Sequence, residues 1–346
     1  MPINFEKQIK LLPLSRFMGS KRRILTNIYK TTSNLKFNSA IDLFSGSASV
    51  SYMFKCMGKR VVSNDHLFFC ANLSTAFIEN NNVTISEEEI SKLFNTSKKY
   101  DKFVSKTFKG LYFSNSENDL IDIVRHNIKK IRNKYKKSIA MACLIKSCQK
   151  KRPRGIFTYV GHRYDDGRLD LKKSFEEHIF ESAKIFNDAV FDNNKKNLSL
   201  REDSLQLNQR ADLVYIDPPY FGKYSDNEYV RRYHFLEGIA RSWKGVKIQE
   251  HTQTKKFEKY ITPFSNKNNC YQAFDKLFKK YKNKILVISY SSNSYPTYNE
   301  MKKMLRKYFN KIDVKKINYN YSFANQYKND SNKNRVNEYL FVGYNV

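Results

Sequence analysis

Acid, cysteine and long apolar runs are what this sequence lacks. The five cysteines, Cys56, Cys70, Cys143, Cys148 and Cys270, form no C-x-x-C pair and keep no regular spacing. That argues against a disulfide framework and against a zinc site, and no other metal site is expected. No stretch of 18 apolar residues exists, which excludes a transmembrane helix and so a membrane partner. The first residues, MPINFEKQIKLLPLSRF, contain no apolar core followed by a small-residue cleavage site, so the expected location is cytoplasmic. No Gly/Ser linker and no internal repeat is present. No Pro-Asp dipeptide occurs to open the common nuclease motif, which argues against a fused nuclease. Asp and Glu number 33 against 63 Lys and Arg, a formal net charge of +30. Such an excess is far beyond what solubility needs and points to a polyanionic partner, most simply nucleic acid. The Lys- and Asn-rich composition of AT-rich genomes is the other source of the same charge.

What is present suffices for a folded core: 346 residues, 40% hydrophobic and 15% aromatic, enough for one large domain or two modest ones. Residues 39–44 form a short apolar run ending in SGS, 48–57 read as a helix, and 60–64 read as a second strand ending at Asp65. This is a strand, glycine turn, helix and strand, hence a βαβ unit. Further strands are expected at 211–216, stopped by Pro218 and Pro219, and at 284–290. Helices are expected at 229–242 and 298–309, and 311–319 with 338–344 can close as a hairpin. The alternation predicts a mostly parallel α/β sheet. The middle, 77–170, lacks strand runs. It carries a capping box at Ser86 and Glu89 for a helix near 87–95, basic clusters at 129–137 and 146–155, and a D-D-G turn at 165–167. A helix at 171–190 then leads back to the α/β part. The predicted organisation is an α/β domain, 1–76 with 171–346, interrupted by a mainly helical insertion at 77–170.

Asp217-Pro218-Pro219-Tyr220 follows a buried strand directly. Two prolines end sheet pairing and stiffen the turn at the carboxyl edge, where open α/β sheets bind ligands. A carboxylate, turn carbonyls and an aromatic face side by side suit an exocyclic amino group on a planar base. Asp42-Leu43-Phe44-Ser45-Gly46-Ser47-Ala48 supplies small residues after the first strand, allowing close backbone approach to a cofactor. Asp65, at the end of the next strand, stands where an acid accepts hydrogen bonds from ribose hydroxyls.

FMGSK (17–21), DLFSGSAS (42–49), the acid at 65 and DLVYIDPPY (212–220), in this order, resemble the motifs of the Dam-like, alpha-class N6-adenine DNA methyltransferases. YSDNEYVRRYHFLEGIAR (224–241) resembles a segment of restriction-modification adenine methyltransferases. The likeness covers roughly 14–75 and 195–345. It implies a Rossmann-like methyltransferase sheet, S-adenosylmethionine as cofactor, duplex DNA as substrate, and a cognate restriction endonuclease in the same type II system. By position, Phe17, Gly19 and Lys21 would sit against the methionine end of the cofactor. Asp42, Phe44, Gly46 and Ala48 would form its cradle, Asp65 would hold its ribose, and Asp203 would meet its adenine. Ala48 departs from the second glycine common in that turn. Asp217, Pro218, Pro219 and Tyr220 would hold and stack the target adenine after it is flipped from the duplex. Target recognition would fall to 77–170, with Lys150, Lys151, Arg152 and Arg154 touching DNA from a loop. The run 129–137 is a solvated helix face or a second phosphate contact. His234 is a core or a substrate-contacting residue, and Trp243, Cys143 and Cys148 are packing residues. RNA adenine or DNA cytosine N4 as target, and a silent DNA-binding relative, are the rival readings.

Overall fold

The computed structural model describes residues 3–96, 99–152, 155–160, 167–222, 228–259, 261–320 and 335–345. Seven strands of these residues form one sheet: β1 (Ser39–Asp42), β2 (Arg60–Asn64), β3 (Leu198–Leu200), β4 (Leu213–Ile216), β5 (Ile285–Ser291), β6 (Lys311–Asn320) and β7 (Arg335–Tyr344). Their order is β3-β2-β1-β4-β5-β7-β6. β1 to β5 run parallel, whereas β7 is antiparallel to both β5 and β6. This is a Rossmann-like methyltransferase sheet, and the expected closing hairpin forms, each arm longer than its apolar pattern marked.

Alternate residues face alternate sides, as strand geometry requires. Ile41, Val62, Val214, Ile216, Leu286 and Ile288 pack against helices Lys267–Lys280 and Tyr298–Leu305. Ala40, Val61, Leu213, Tyr215, Val287, Leu340 and Val342 face the other way, toward helices Leu25–Thr32 and Ser49–Cys56. Burial on both faces explains why β4 reads as an unbroken apolar run. The chain leaves β1 toward β2 and β3 on one side, then returns to β4 on the other. The crevice over the carboxyl ends of β1 and β4 is therefore the topological switch point, where such sheets bind ligands.

The middle of the chain is helical, with long helices Asn115–Lys130 and Lys134–Lys150. Ile121, Val124, Ile139 and Cys143–Ile145 belong to the same core as Val50, Phe54 and Phe69. Capping boxes start three helices here, at Ser86, Ser114 and Ser174. Several boundaries differ from expectation. The helix expected over 171–190 is Phe175–Ala189, preceded by the short helix Leu169–Lys172, because the Ser174–Glu177 box begins a new helix. The helix expected over 229–242 divides at Tyr233 into Tyr229–Arg232 and His234–Arg241. The run 129–137 is not one helix face. Ile131 leaves helical geometry, and the Asn133 side chain accepts from the amides of Tyr135 and Lys136 to start the next helix. No helix among the described residues is long and apolar enough to cross a membrane.

Candidate active site

A cleft of about 1300 Å³ opens over the carboxyl ends of the parallel strands. Its lining brings together Phe17, Gly19, Lys21, Asp42, Phe44, Gly46, Asp65, Asp203 and the Asp217–Tyr220 turn, residues from five separate stretches of sequence. Ala48 alone of the expected cradle is absent from the lining. It is fully buried behind the turn with φ 57, a left-handed conformation that glycine adopts without strain and alanine does not.

The glycine turn is built around an aromatic ring. Gly46 has φ +50, and a Cβ there would stand 2.8 Å from Phe17 Cε1. Phe17 in turn stacks on Tyr233, centroids 5.2 Å apart, and on Tyr229 at 5.7 Å. The Met18 amide donates to the Tyr233 hydroxyl at 2.7 Å. A Cβ on Gly19, whose φ is +73, would lie 2.9 Å from the Tyr229 hydroxyl. Segments 17–21, 44–48 and 229–233 thus interlock, and only glycine fits at the two contacts. Phe44 meets Phe264 edge-on at 5.4 Å on the far wall.

Three carboxylates line the floor. Asp65 accepts from the Gly46 amide at 2.8 Å and the Leu67 amide at 2.9 Å, so it ties the turn after β1 to the turn after β2. Burial pushes it up to about 6, against these amides. Asp42 ends β1 with Oδ2 accepting from the Ser51 amide and hydroxyl at 3.1 and 2.7 Å. Its Oδ1 is buried and has no hydrogen-bond partner among the described residues. Burial pushes Asp42 up to about 7, and the nearby Asp217 and Asp65 charges add to that. Asp217 is pushed up to about 6 by burial, held down by Lys21. The Lys21 Nζ lies 2.8 Å from Asp217 Oδ1 and donates to the Gly19 carbonyl at 3.1 Å. Its side chain is 7% exposed. Burial opposes its charge, yet Asp217 and Glu338 outweigh that and raise its hold on the proton.

Tyr220 completes the cluster. Its hydroxyl lies 3.0 Å from Asp217 Oδ1 and 3.2 Å from Glu338 Oε2. Its ring meets Tyr290 edge-on at 4.8 Å, and Lys21 Nζ stands 4.8 Å from its centroid. Asp203 is exposed at the cleft's edge, its carboxylate accepting from the Leu205 amide at 2.9 Å. The neighbouring Glu202 is pinned to Asn64 through two backbone contacts, which fixes that edge against the glycine turn.

Sequence reasoning misses Tyr229, Tyr233 and Glu338. The two tyrosines lie inside a segment whose family likeness carries no residue roles. Glu338 has one signal, a lone acid within an otherwise apolar alternation. His234 is a core residue: it is fully buried, lies 3.0 Å from both the Tyr112 hydroxyl and the Phe157 carbonyl, and burial pushes it down to about 3. All five cysteines are buried free thiols, and Trp243 is buried against Phe103 and Phe108.

The loop expected to carry the basic cluster is corrected. Lys150 is the last residue of a helix, not part of a loop, and pairs with Glu181 at 3.1 Å and Asp170 at 3.7 Å. Lys151 pairs with Glu117 at 2.8 Å and donates to the Lys173 carbonyl at 2.9 Å. Arg152 is 1% exposed, donates to the carbonyls of Tyr112 and Tyr159, and stacks on both rings. These three cations hold the helical region to itself. Arg154, with 161–166 and 223–227, lies outside the described residues. Besides Lys21, the Lys and Arg residues lining the cleft among the described residues are Arg16, Arg22, Arg23, Arg231 and Arg232, of which Arg22 and Arg23 are exposed. Among the described residues no three His, Cys, Asp or Glu converge as a metal site would require.

Comparison with known proteins agrees with this geometry. Residues 17–293 match the model of D12 class N6 adenine-specific DNA methyltransferases. The chain is 28% identical over 346 residues to the type II methyltransferase M2.HphI of Haemophilus parahaemolyticus, covering 95% of this chain and 97% of that protein. It is 25% identical over 360 residues to the modification methylase StsI of Streptococcus sanguinis, and 26% over 305 residues to the type II methyltransferase M.FokI of Planomicrobium okeanokoites. Those matches cover 94% and 80% of this chain but 51% and 44% of the two relatives, about half their length.

Proposed function

The chain belongs to the D12 class of N6 adenine-specific DNA methyltransferases, and from that membership we propose that its cleft binds S-adenosylmethionine beside a target adenine turned out of duplex DNA. The observation that carries the reading is the convergence of Lys21, Asp42, Gly46, Asp65 and the Asp217–Tyr220 turn on one sheet edge.

The residues fit the cofactor. Among the described residues Asp42 Oδ1 is a buried acceptor without a donor, a site for the cofactor's ammonium group. Asp65 stands at the end of β2, within reach of a ribose, and Gly46 keeps the turn open to a ligand lying against Phe17. Phe44 and Asp203 flank the end for the cofactor's adenine. When bound, S-adenosylmethionine supplies a methyl group on a positively charged sulfur, which a lone pair can displace in line without a metal.

The chain's own residues prepare that lone pair. The adenine amine is a weak nucleophile because its electrons are delocalised into the ring. Asp217 and the carbonyl of Pro218 accept its two hydrogens, which favours a pyramidal nitrogen with its lone pair aimed at the donor. Pro219 stiffens the turn that holds both acceptors. Tyr220 offers its ring to the extruded base, and stacking of this kind is worth about 1–3 kcal/mol. Lys21 keeps Asp217 ionised at neutral pH. Arg22 and Arg23 flank the mouth and meet backbone phosphates, while the helical region 77–170 contributes to reading the sequence. The biological role is that of a cytoplasmic modification enzyme in a type II restriction-modification system, protecting sites from a cognate endonuclease.

Sequencing of modified bases in DNA from cells expressing the chain tests this. N6-methyladenine at one short recurrent site is expected, and Asp217→Ala abolishes it while DNA binding remains. Unmodified DNA from the wild type, or methylation persisting in Asp217→Ala, would overturn the reading.

A further inference from the structure

The Lys21–Asp217 pair has a neighbour outside the segment matched to the family. Glu338 lies on β7, beyond residue 293. Because β7 runs antiparallel to β5, with Glu338 opposite Ser291, its first residues arrive at the same sheet edge where β4 delivers Asp217. Along β7 the side chains alternate: Leu340 and Val342 enter one core, Tyr339 and Phe341 face the other. Glu338 takes the face of Leu340 and Val342 and is 2% exposed. A carboxylate in such a position is costly unless it is partnered.

Among its partners is the reacting cluster. Glu338 Oε2 lies 3.2 Å from the Tyr220 hydroxyl, which is also 3.0 Å from Asp217 Oδ1. A phenol carries one proton, so this hydroxyl donates to one carboxylate at a time and bridges the two. Lys21 faces both acids. Two carboxylates therefore share one ammonium and one phenol proton.

We propose that Glu338 is a positioning residue of the methyl transfer: it anchors the Tyr220 hydroxyl so that the ring stands beside Asp217, and its charge strengthens Asp217 as acceptor for the adenine amino hydrogens. The inference rests on the adenine reading of the cleft. Its electrostatic half has a definite sign. Glu338 adds to the upward push on Asp217, which burial begins and Lys21 opposes. Among the described residues, the other ionisable groups facing the cluster include Asp42 on β1, Tyr215 on β4, Tyr290 on β5 and Tyr229 on the adjoining helix. Burial pushes the three phenols upward, so they stay neutral across the working range. Asp42 titrates near Asp217 but is present in every variant compared.

The test uses the full chain and an unmethylated duplex carrying the site that the wild type modifies. Glu338→Gln keeps an acceptor for Tyr220 and removes the charge. The acid limb of kcat/KM should move to lower pH by about 0.5–1 unit, and the plateau rate should fall, though by less than in Glu338→Ala, because Asp217 becomes a weaker acceptor while the ring keeps its anchor. Glu338→Ala also releases the ring, and kcat should fall about 10-fold or more while the KM for the methyl donor holds. Tyr220→Phe breaks the same bridge from the other side, so the Glu338→Ala and Tyr220→Phe losses should not multiply in the double variant. An unshifted acid limb in Glu338→Gln, or fully multiplicative losses, overturns the proposal. If Glu338→Ala does not fold, the pH profile of Glu338→Gln decides. Wild type active, Asp217→Ala dead and Glu338 variants like wild type would sink this inference alone. Absence of N6-methyladenine from the wild type would instead sink the reading of the cleft.

Discussion

Replacing Lys21 by Met removes an ammonium from a site only 7% exposed, and takes away the positive charge that faces both Asp217 and Glu338. Loss of an opposite charge at this distance raises a carboxyl pKa by about 1–3 units. Asp217 would move from about 6 to between about 7 and 9, a change of about 1.4–4 kcal/mol in its preference for the proton. At the middle of that range about a quarter of Asp217 is ionised at pH 7.5. Single-turnover methylation should therefore fall about four-fold or more there and recover as the pH approaches 9, while the wild type stays flat above pH 7. Stability carries the same sign. A carboxyl whose folded pKa exceeds its unfolded value contributes stability that is lost as pH rises through the folded value. The melting temperature of Lys21→Met should thus drop further below wild type at pH 9 than at pH 6. A loss of rate that is uniform from pH 6 to 9, or one confined to the KM for the methyl donor, would refute the argument and place Lys21 on the cofactor instead.

Arg152→Ala deletes charge-assisted bonds to a buried carbonyl, of Tyr112, and a half-buried one, of Tyr159, at about 1.5–3 kcal/mol for the buried bond before relaxation and less for the other. Denaturant titration should show that loss, while the salt dependence of DNA binding stays unchanged. Replacing Arg22 and Arg23 with Ala should instead flatten the log-log salt slope by about 0.9 for each phosphate no longer neutralised, and leave stability near wild type. Gly46→Ala forces a Cβ to 2.8 Å from the Phe17 ring in a left-handed backbone worth about 1–2 kcal/mol of strain. Calorimetry should find S-adenosylmethionine binding weakened about 10-fold, and unchanged binding would mean that the turn does not cradle the cofactor.

The parts of the molecule that are legible in sequence are those whose signals are local. β1, β2, β4 and β5 announce themselves by short apolar runs, and the glycine turn and the Asp-Pro-Pro-Tyr turn by residues that only a tight carboxyl-edge turn needs. β3 has three half-buried residues and no pattern that a loop could not share. The basic stretch at 146–155 shows why a run of cations along a chain need not be a patch on a surface. Lys150, Lys151 and Arg152 find Glu181, Asp170, Glu117 and backbone carbonyls that are distant in sequence. Glu338 is illegible for the complementary reason. Its place beside Tyr220 follows from the register of an antiparallel strand, which no neighbouring residue encodes.

That strand carries a consequence for synthesis. Lys21 comes from near the start of the chain, Asp217 from its middle and Glu338 from its last strand, so the charge cluster joins groups of very high sequence separation. Such pairings form late, after the entropy of closing large loops has been overcome. A ribosome-bound chain can fold the βα units of its first half while β7 is still unmade. Until then, Lys21 and Asp217 lack the second carboxylate and Tyr220 lacks its anchor. On the role proposed for Glu338, β7 acts as a latch: the charge cluster is complete only once that strand has paired with β5.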